Sequence, residues 1–162
     1  MPMRSPGLGH AASMSYRLDP PPGRVRSVIA IVTNGKRLGR DGSALPGIGI
    51  TRHIVVAETD DAARAIAAAA YPRWRDAIEF LWRRTNADFV LKDIYPRDFA
   101  ALERIGHGIA GSPATVRDYL VRLQEVTGVN SVLCQMVFGD MRFDDAARSI
   151  GLFGREIIPA FA

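Results

Sequence analysis

The residues best suited to chemistry in this 162-residue sequence lie in one apolar run, Ile50-Thr51-Arg52-His53-Ile54-Val55-Val56-Ala57. Side chains of a strand alternate between its two faces, so Thr51 and His53 share a face that does not carry Arg52. A neutral imidazole donates and accepts hydrogen bonds near pH 7, which makes His53 the best candidate for a catalytic residue and Thr51 a candidate cofactor contact. The alternative is a core histidine satisfied by a neighbouring strand or by water.

A second candidate group is the basic, glycine-rich stretch Arg104-Ile105-Gly106-His107-Gly108-Ile109-Ala110-Gly111. Arg104 and His107 are suited to closing on a phosphate or a substrate, and the three glycines permit such a motion. The alternative is a solvated loop in which both residues are incidental.

A third group lies near the C-terminus, where the spacing predicts a strand over residues 129–138. Met136 and Phe138 share a face of that strand and are suited to packing on a flat cofactor ring or an apolar substrate; ordinary core packing is the alternative. Cys134 is interpreted as a small buried apolar residue. As the only cysteine, it excludes an intrachain disulfide and a cysteine-based zinc site, and we expect no metal site.

The elements that must position these residues alternate between strand and helix. The sequence predicts a strand ending before Thr59, a long helix interrupted at Pro72, and a long excursion containing one short helical piece and, at Ile109–Gly111, a very short strand. A helix follows that begins at Ser112 and ends at Gly128, then the 129–138 strand. Gly139-Asp140 turns the chain into a last helix, whose predicted buried stripe includes Phe143, Ala147, Ile150, Phe153 and Ile157. Alternation of this kind predicts an α/β fold with parallel strands.

Composition narrows the class of protein. Hydrophobic residues make up 48% and charged residues 23% of the sequence, which is typical of a globular domain, but a complete (β/α)8 barrel needs about 250 residues. Residues 1–37, rich in Pro, Gly and Ser, are expected to form a loose or disordered arm, although Val28–Val32 contains an apolar patch suited to a short strand. The folded part is then residues 38–162.

Charge and hydropathy exclude two classes of partner. Residues 1–40 carry seven of the 21 basic side chains and one of the 17 acidic ones, so the remainder has no basic excess to attract nucleic acid. No apolar run reaches the 18 residues of a membrane span. We expect a cytoplasmic protein that binds neither nucleic acid nor membrane.

Three motifs together resemble the C-terminal end of the bacterial-luciferase-like, flavin-dependent monooxygenases. Gly111–Val116 matches the family's G-[ST]-P-x-x-[VC] helix start, and Thr127–Ser131 matches its T-G-[VI]-x-[NSY] strand entry. Glu58-Thr59-Asp60 matches the [ED]-T-[DN] cap that follows a strand bearing a pocket histidine, and the last helix runs into Pro159. The resemblance covers residues 38–162.

The resemblance implies a partial (β/α)8 TIM barrel made of about the last three strand-helix units. It implies that His53 faces the flavin, with Thr51, Met136 and Phe138 lining the same pocket, and that Arg104 and His107 lie in a mobile lid. It also implies reduced flavin mononucleotide (FMN) supplied by a flavin reductase, dioxygen and a small organic substrate; deazaflavin F420 is the less favoured cofactor. In sulfonate-oxidising relatives an arginine holds the position of Thr51.

The first half of such a barrel has no counterpart in this sequence. We therefore expect open strand edges, an open inner face, little activity from the chain alone, and a homodimer or a complementing chain as partner. The competing interpretation is a non-catalytic α/β interaction module or remnant that pairs through its strand edges. A compact nucleotide-binding domain is a further alternative, but it lacks a glycine-rich phosphate motif.

Overall fold

The computed structural model describes residues 35, 37–39 and 49–162. The expected arm over residues 1–37 and the strand expected at Val28–Val32 lie almost entirely outside these residues. The elements, in chain order, are β1 (Gly49–Val56), α1 (Asp60–Arg84), α2 (Phe99–Arg104), β2 (Gly108–Gly111), α3 (Pro113–Thr127), β3 (Ser131–Gln135) and α4 (Phe143–Leu152), followed by a π-helical turn at Phe153–Ile157 and a 3-10 turn at Ile158–Ala160.

The three strands form one parallel sheet, which confirms the predicted α/β class. The strand order is β2-β1-β3, with β1 in the centre. His53 lies opposite Gly108 of β2 and Gln135 of β3. In a barrel, consecutive strands adjoin in chain order. Here β3 instead pairs with β1, so the order is not that of three consecutive barrel strands.

Helices cover both faces of this sheet. On one face, Val55 of β1 and Phe138 pack with α2 and with the alanine-rich stripe of α1. On the other face, Ile54 and Val56 pack with α3 and α4. The face that carries His53, expected to be open to solvent, is therefore covered by α1. The physical reason is that the alanines of α1 have small side chains, which let the helix lie close to the sheet and remove its apolar surface from water.

The helix ends follow the local sequence. Thr59 caps α1 by accepting a hydrogen bond from the backbone N–H of Ala62, and Ser112 caps α3 by accepting one from Thr115. Gly128 ends α3 in the left-handed conformation, with φ 68°. All three positions were predicted, because each requirement is satisfied within a few residues of chain. The α1 helix runs through Pro72 as one element.

Of the predicted stripe, Ile157 is buried and Phe153 packs against the core, but the buried face of α4 itself differs from the prediction. Phe143 is 84% exposed, and Ala147 and Ile150 also face solvent. The buried residues are Ala146, Ser149 and Leu152. Ser149 selects this face, because its hydroxyl accepts a hydrogen bond from the Val56 backbone N–H at 2.8 Å. A buried polar contact with the end of β1 thus determines how α4 is rotated.

Candidate functional site around His53

His53 lies at the middle of the central strand, and only 1% of its surface is exposed. Its backbone N–H donates to the carbonyl of His107 at 3.3 Å, which ties β1 to the residue before β2. Because β1 has a neighbour on each side and helices on both faces, the backbone around His53 has no free direction in which to move. The neighbouring strands and the covering helices therefore fix the position of the imidazole.

Four aromatic rings surround the imidazole. Trp74 of α1 is nearest, with a ring-centroid distance of 4.2 Å, and Phe138 follows at 5.0 Å. Tyr71 lies at 5.5 Å and Tyr95 at 6.1 Å. All four meet the imidazole at steep interplanar angles, the edge-to-face arrangement that aromatic pairs favour. We call these four rings and His53 the aromatic cluster.

Two polar atoms of the aromatic cluster are buried without a hydrogen-bond partner among the described residues: Nε2 of His53 and Oη of Tyr71. Burial away from water disfavours the charged forms of both groups. Desolvation, with a smaller contribution from the nearby His107, lowers the pKa of His53 from 6.5 to about 4. Desolvation raises the pKa of Tyr71. At neutral pH the cluster therefore contains a neutral imidazole and a neutral phenol.

The other predicted site residues differ in their surroundings: two are exposed, whereas His107 is buried next to His53. Thr51 is exposed near the start of β1, and Arg104 is exposed at the end of α2. His107 is buried, and its Nδ1 donates to the carbonyl of Ile94 at 3.1 Å. The expected contacts of Arg104 and His107 with a phosphate are therefore not assembled in this structure.

Met136 and Phe138 lie on opposite sides of the sheet, so the prediction that they share a face is wrong. Met136 packs in the core beneath α3 and α4, whereas Phe138 packs in the aromatic cluster. The reason is that β3 ends at Gln135, three residues before the predicted end. Beyond that residue the alternation of a strand no longer applies. Phe138 alone of the two contacts His53.

The helix start at Gly111-Ser112-Pro113 is already occupied by an acidic side chain. Asp60 of α1 accepts a hydrogen bond from the Ser112 backbone N–H at 2.7 Å. A Cβ on Gly111 would lie 3.0 Å from the same carboxylate. This N–H is thus used to join two helices rather than to hold an external anion.

Sequence reasoning missed Tyr71, Trp74 and Tyr95 as neighbours of His53. The pair Tyr71 and Trp74 was within reach of prediction, because two rings three residues apart share one side of a helix. Tyr95 lies in the excursion between α1 and α2, and no local pattern indicates where such a segment packs. Among the described residues no group of His, Cys, Asp and Glu is arranged to hold a metal ion. Within the same part of the chain, no helix is long and apolar enough to cross a membrane.

No protein-family model matches the chain. It is 34% identical over 97 residues to an uncharacterized protein, y4wF, of Sinorhizobium fredii (strain NBRC 101917 / NGR234), a match that covers 60% of this chain and 28% of that protein. In structure it is similar to the monooxygenase RslO1 from Streptomyces bottropensis, with a TM-score of 0.59 and 19% identity over 85% of this chain and 38% of that one. The chain therefore spans well under half the length of either protein, and its likeness to the monooxygenase is one of fold.

Proposed function

We propose that this chain is the C-terminal part of a luciferase-like, flavin-dependent monooxygenase, with β1, β2 and β3 as the last three strands of a (β/α)8 barrel. The observation that carries the proposal is the likeness in fold to the monooxygenase RslO1 over 85% of the chain. The three sequence motifs support it independently. In this proposal reduced FMN, delivered by a flavin reductase, and dioxygen oxidise a small organic molecule; deazaflavin F420 is the alternative cofactor.

The described residues do not fit a flavin beside His53. Trp74, Tyr71 and Phe138 occupy the space against the imidazole, with Trp74 at 4.2 Å between ring centroids. An isoalloxazine ring requires that α1 move away from β1. We therefore assign no chemical step to His53 in this form of the chain, and we expect the chain alone to be inactive as an oxygenase.

The strand order identifies the rearrangement that the proposal requires. In a barrel the edge of β1 that faces away from β2 pairs with a preceding strand. In this chain β3 pairs along that edge, from Gly49 opposite Ser131 to His53 opposite Gln135. A complementing chain that supplies the preceding strands must displace β3, which then pairs with the outer edge of β2. The proposal thus predicts that β3 changes partner on complementation.

A titration with FMN tests the flavin proposal. If α1 must open, the apparent affinity is reduced by the fraction of molecules that are open. Trp74→Ala removes the ring nearest to His53, so we expect this variant to bind FMN at least about tenfold more tightly than the unchanged chain. Adding His53→Ala to Trp74→Ala is expected to weaken that binding again. Flavin fluorescence measures each affinity, for oxidised FMN in air and for reduced FMN without oxygen.

Trp82→Ala is the matched control, because Trp82 lies on the same helix but its ring meets that of Phe89, edge to face, rather than that of His53. It removes the same side chain and is expected to leave FMN binding unchanged. Absence of saturable binding to Trp74→Ala at millimolar FMN would remove the flavin proposal for this chain.

The second candidate function is a non-catalytic α/β interaction module. It is favoured by the outer edge of β3, which no other described strand covers, and by the exposed side chains of Leu133 on β3 and Phe143 on α4. An unpaired parallel edge is suited to adding a strand from a second chain. Sedimentation velocity at increasing concentration tests this. Association that Leu133→Lys abolishes supports the module, whereas a monomer at all concentrations contradicts pairing of the chain with itself.

A further inference from the structure

A charged cleft lies away from the aromatic cluster, between the C-terminal half of α1 and the segment at residues 87–97. Its volume is about 590 Å³, within the range of sites that hold small molecules. Its wall includes Arg75, Glu79, Arg83, Phe89, Lys92 and Arg97. Four basic side chains thus face two carboxylates, those of Glu79 and Asp88, so the cleft has an excess of positive charge.

Three guanidinium groups converge on Glu79. Arg75 donates to its carboxylate at 2.7 Å, Arg83 at 2.5 Å and Arg97 at 3.3 Å. Hydrogen bonding from Arg75 first, and from Arg83, lowers the pKa of Glu79, so the carboxylate is ionised at neutral pH. The single negative charge of Glu79 neutralises only one of these three guanidinium charges. Asp76, in an adjoining smaller cavity, lies 3.8 Å from Arg97 and offsets part of the remaining charge.

Arg75 is the fixed element of this group. It is 3% exposed, its Nε donates to the Tyr95 carbonyl at 2.6 Å, and its guanidinium carbon lies 4.0 Å from the centroid of Phe89. These contacts hold the guanidinium in one orientation before any ligand arrives. Arg75 in turn holds Glu79, the carboxylate that Arg83 and Arg97 share, so these two arginines are positioned with little further loss of side-chain entropy.

Arg83 and Arg97 supply the accessible donors. Their side chains are 71% and 70% exposed, and a guanidinium carries five N–H donors. Both are anchored to Glu79 at one edge, which leaves other donors directed to the cleft and to solvent. Phe89 and Pro96 add apolar surface to the same cleft. Several guanidinium groups beside an apolar wall suit an anion that has an organic portion.

We propose that this cleft binds a small organic phosphate, with the phosphate held by Arg83, Arg97 and Lys92 and the organic portion against Phe89. Phosphate accepts paired hydrogen bonds from guanidinium groups, and its negative charge offsets the excess positive charge of the cleft. Glu79 aligns the arginines but also competes with the ligand for their donors. The site does not depend on the flavin proposal, because none of its residues belongs to the aromatic cluster.

Phenyl phosphate is the probe, titrated at low salt by isothermal calorimetry or by chemical shifts of the cleft amides. We expect saturable binding that Arg97→Ala and Arg83→Ala each weaken about tenfold, the effect of one charge-assisted hydrogen bond. Glu79→Gln is expected to tighten binding several-fold, because it removes the competing charge. Arg122→Ala, which deletes an exposed arginine of α3 outside the cleft, is the matched control and leaves the affinity unchanged.

Phenol and inorganic phosphate separate the two parts of the ligand. We expect phenol not to bind and inorganic phosphate to bind more weakly than phenyl phosphate. Binding of phenyl phosphate that is equal in the Arg97→Ala and Arg122→Ala variants overturns the proposal, as does absence of binding to the unchanged chain at millimolar probe. Arg97 is largely exposed, so its replacement tests the site even where Glu79→Gln fails to fold.

Discussion

The rings of His53 and Tyr71 meet edge to face, with 5.5 Å between centroids and an interplanar angle of 87°. Each residue also has a buried polar atom without a partner among the described residues. Such atoms normally lower the free energy of unfolding, because they lose their hydrogen bonds to water when the chain folds. Ring contacts, rather than side-chain hydrogen bonds, thus hold this pair at the centre of the fold. Substitutions of His53 and Tyr71 therefore test how this packing affects stability.

The pH dependence of stability is the first prediction. The folded pKa of His53 is about 4 and its ordinary value is 6.5, so between these pH values the unfolded chain binds a proton that the folded chain does not. Stability therefore falls as the pH is lowered from 6.5 to 4, by about 3 kcal/mol for this group. Urea unfolding at pH 7 and pH 4.5 measures the loss. His53→Leu is expected to lose less stability over the same range, and an equal loss in both proteins contradicts the assignment.

Removal of the Tyr71 hydroxyl is expected to leave the protein as stable as before or to stabilise it by about 1 kcal/mol. Tyr71→Phe keeps the ring contacts with His53 and Phe99 and removes only the unpartnered oxygen. Thermal unfolding at pH 7 measures the change. Tyr119→Phe is the matched control and is expected to be destabilising, because the Tyr119 hydroxyl donates to the Gly106 carbonyl at 2.9 Å. Equal losses in the two variants would show that Tyr71 has a partner.

Two glycines with similar φ angles are expected to lose very different amounts of stability when each is replaced by alanine. Gly139 has φ 62°, and a Cβ there would lie 1.9 Å from the carbonyl oxygen of Ala70, so Gly139→Ala must push α1 away from the sheet. We expect a loss of about 3–5 kcal/mol. Gly128 has φ 68° and open space around it, so Gly128→Ala is expected to lose only about 1–2 kcal/mol. Chemical denaturation compares the two, and similar losses would contradict the close approach of Gly139 to α1.

Glu103 is expected to stabilise the outer edge of β2. Its carboxylate accepts the backbone N–H of Ala110 at 2.9 Å, a donor on the edge that no strand covers within the described chain. Glu103→Ala leaves this buried N–H without an acceptor and is expected to lose about 2 kcal/mol. Glu103→Gln keeps a side-chain oxygen and is expected to lose much less. Amide hydrogen exchange at Ala110 reports the same contact, and equal exchange rates in the two variants would contradict it.

The helix starts, the helix ends and the class of the sheet could be predicted from the sequence, because the interactions that decide them are local. Thr59, Ser112 and Gly128 act on backbone groups three or four residues away. The alternation along β1 likewise separates His53 from Ile54 without reference to any other element. The end of β3 was predicted wrongly, because no local signal after Gln135 marks where the strand stops.

Tertiary structure alone decided the strand order, the helix that covers each face, and the surroundings of His53. The placement of β3 beside β1, the burial of Ser149 and the closing of α1 over the imidazole depend on contacts between residues far apart in sequence. Such contacts reflect total buried surface and shape, which no spacing of residues along the chain encodes. The sequence by itself thus determined that a histidine lies on an apolar strand, on the face opposite to Ile54. The packing of α1 decided that this histidine is neutral, enclosed by aromatic rings and out of reach of solvent.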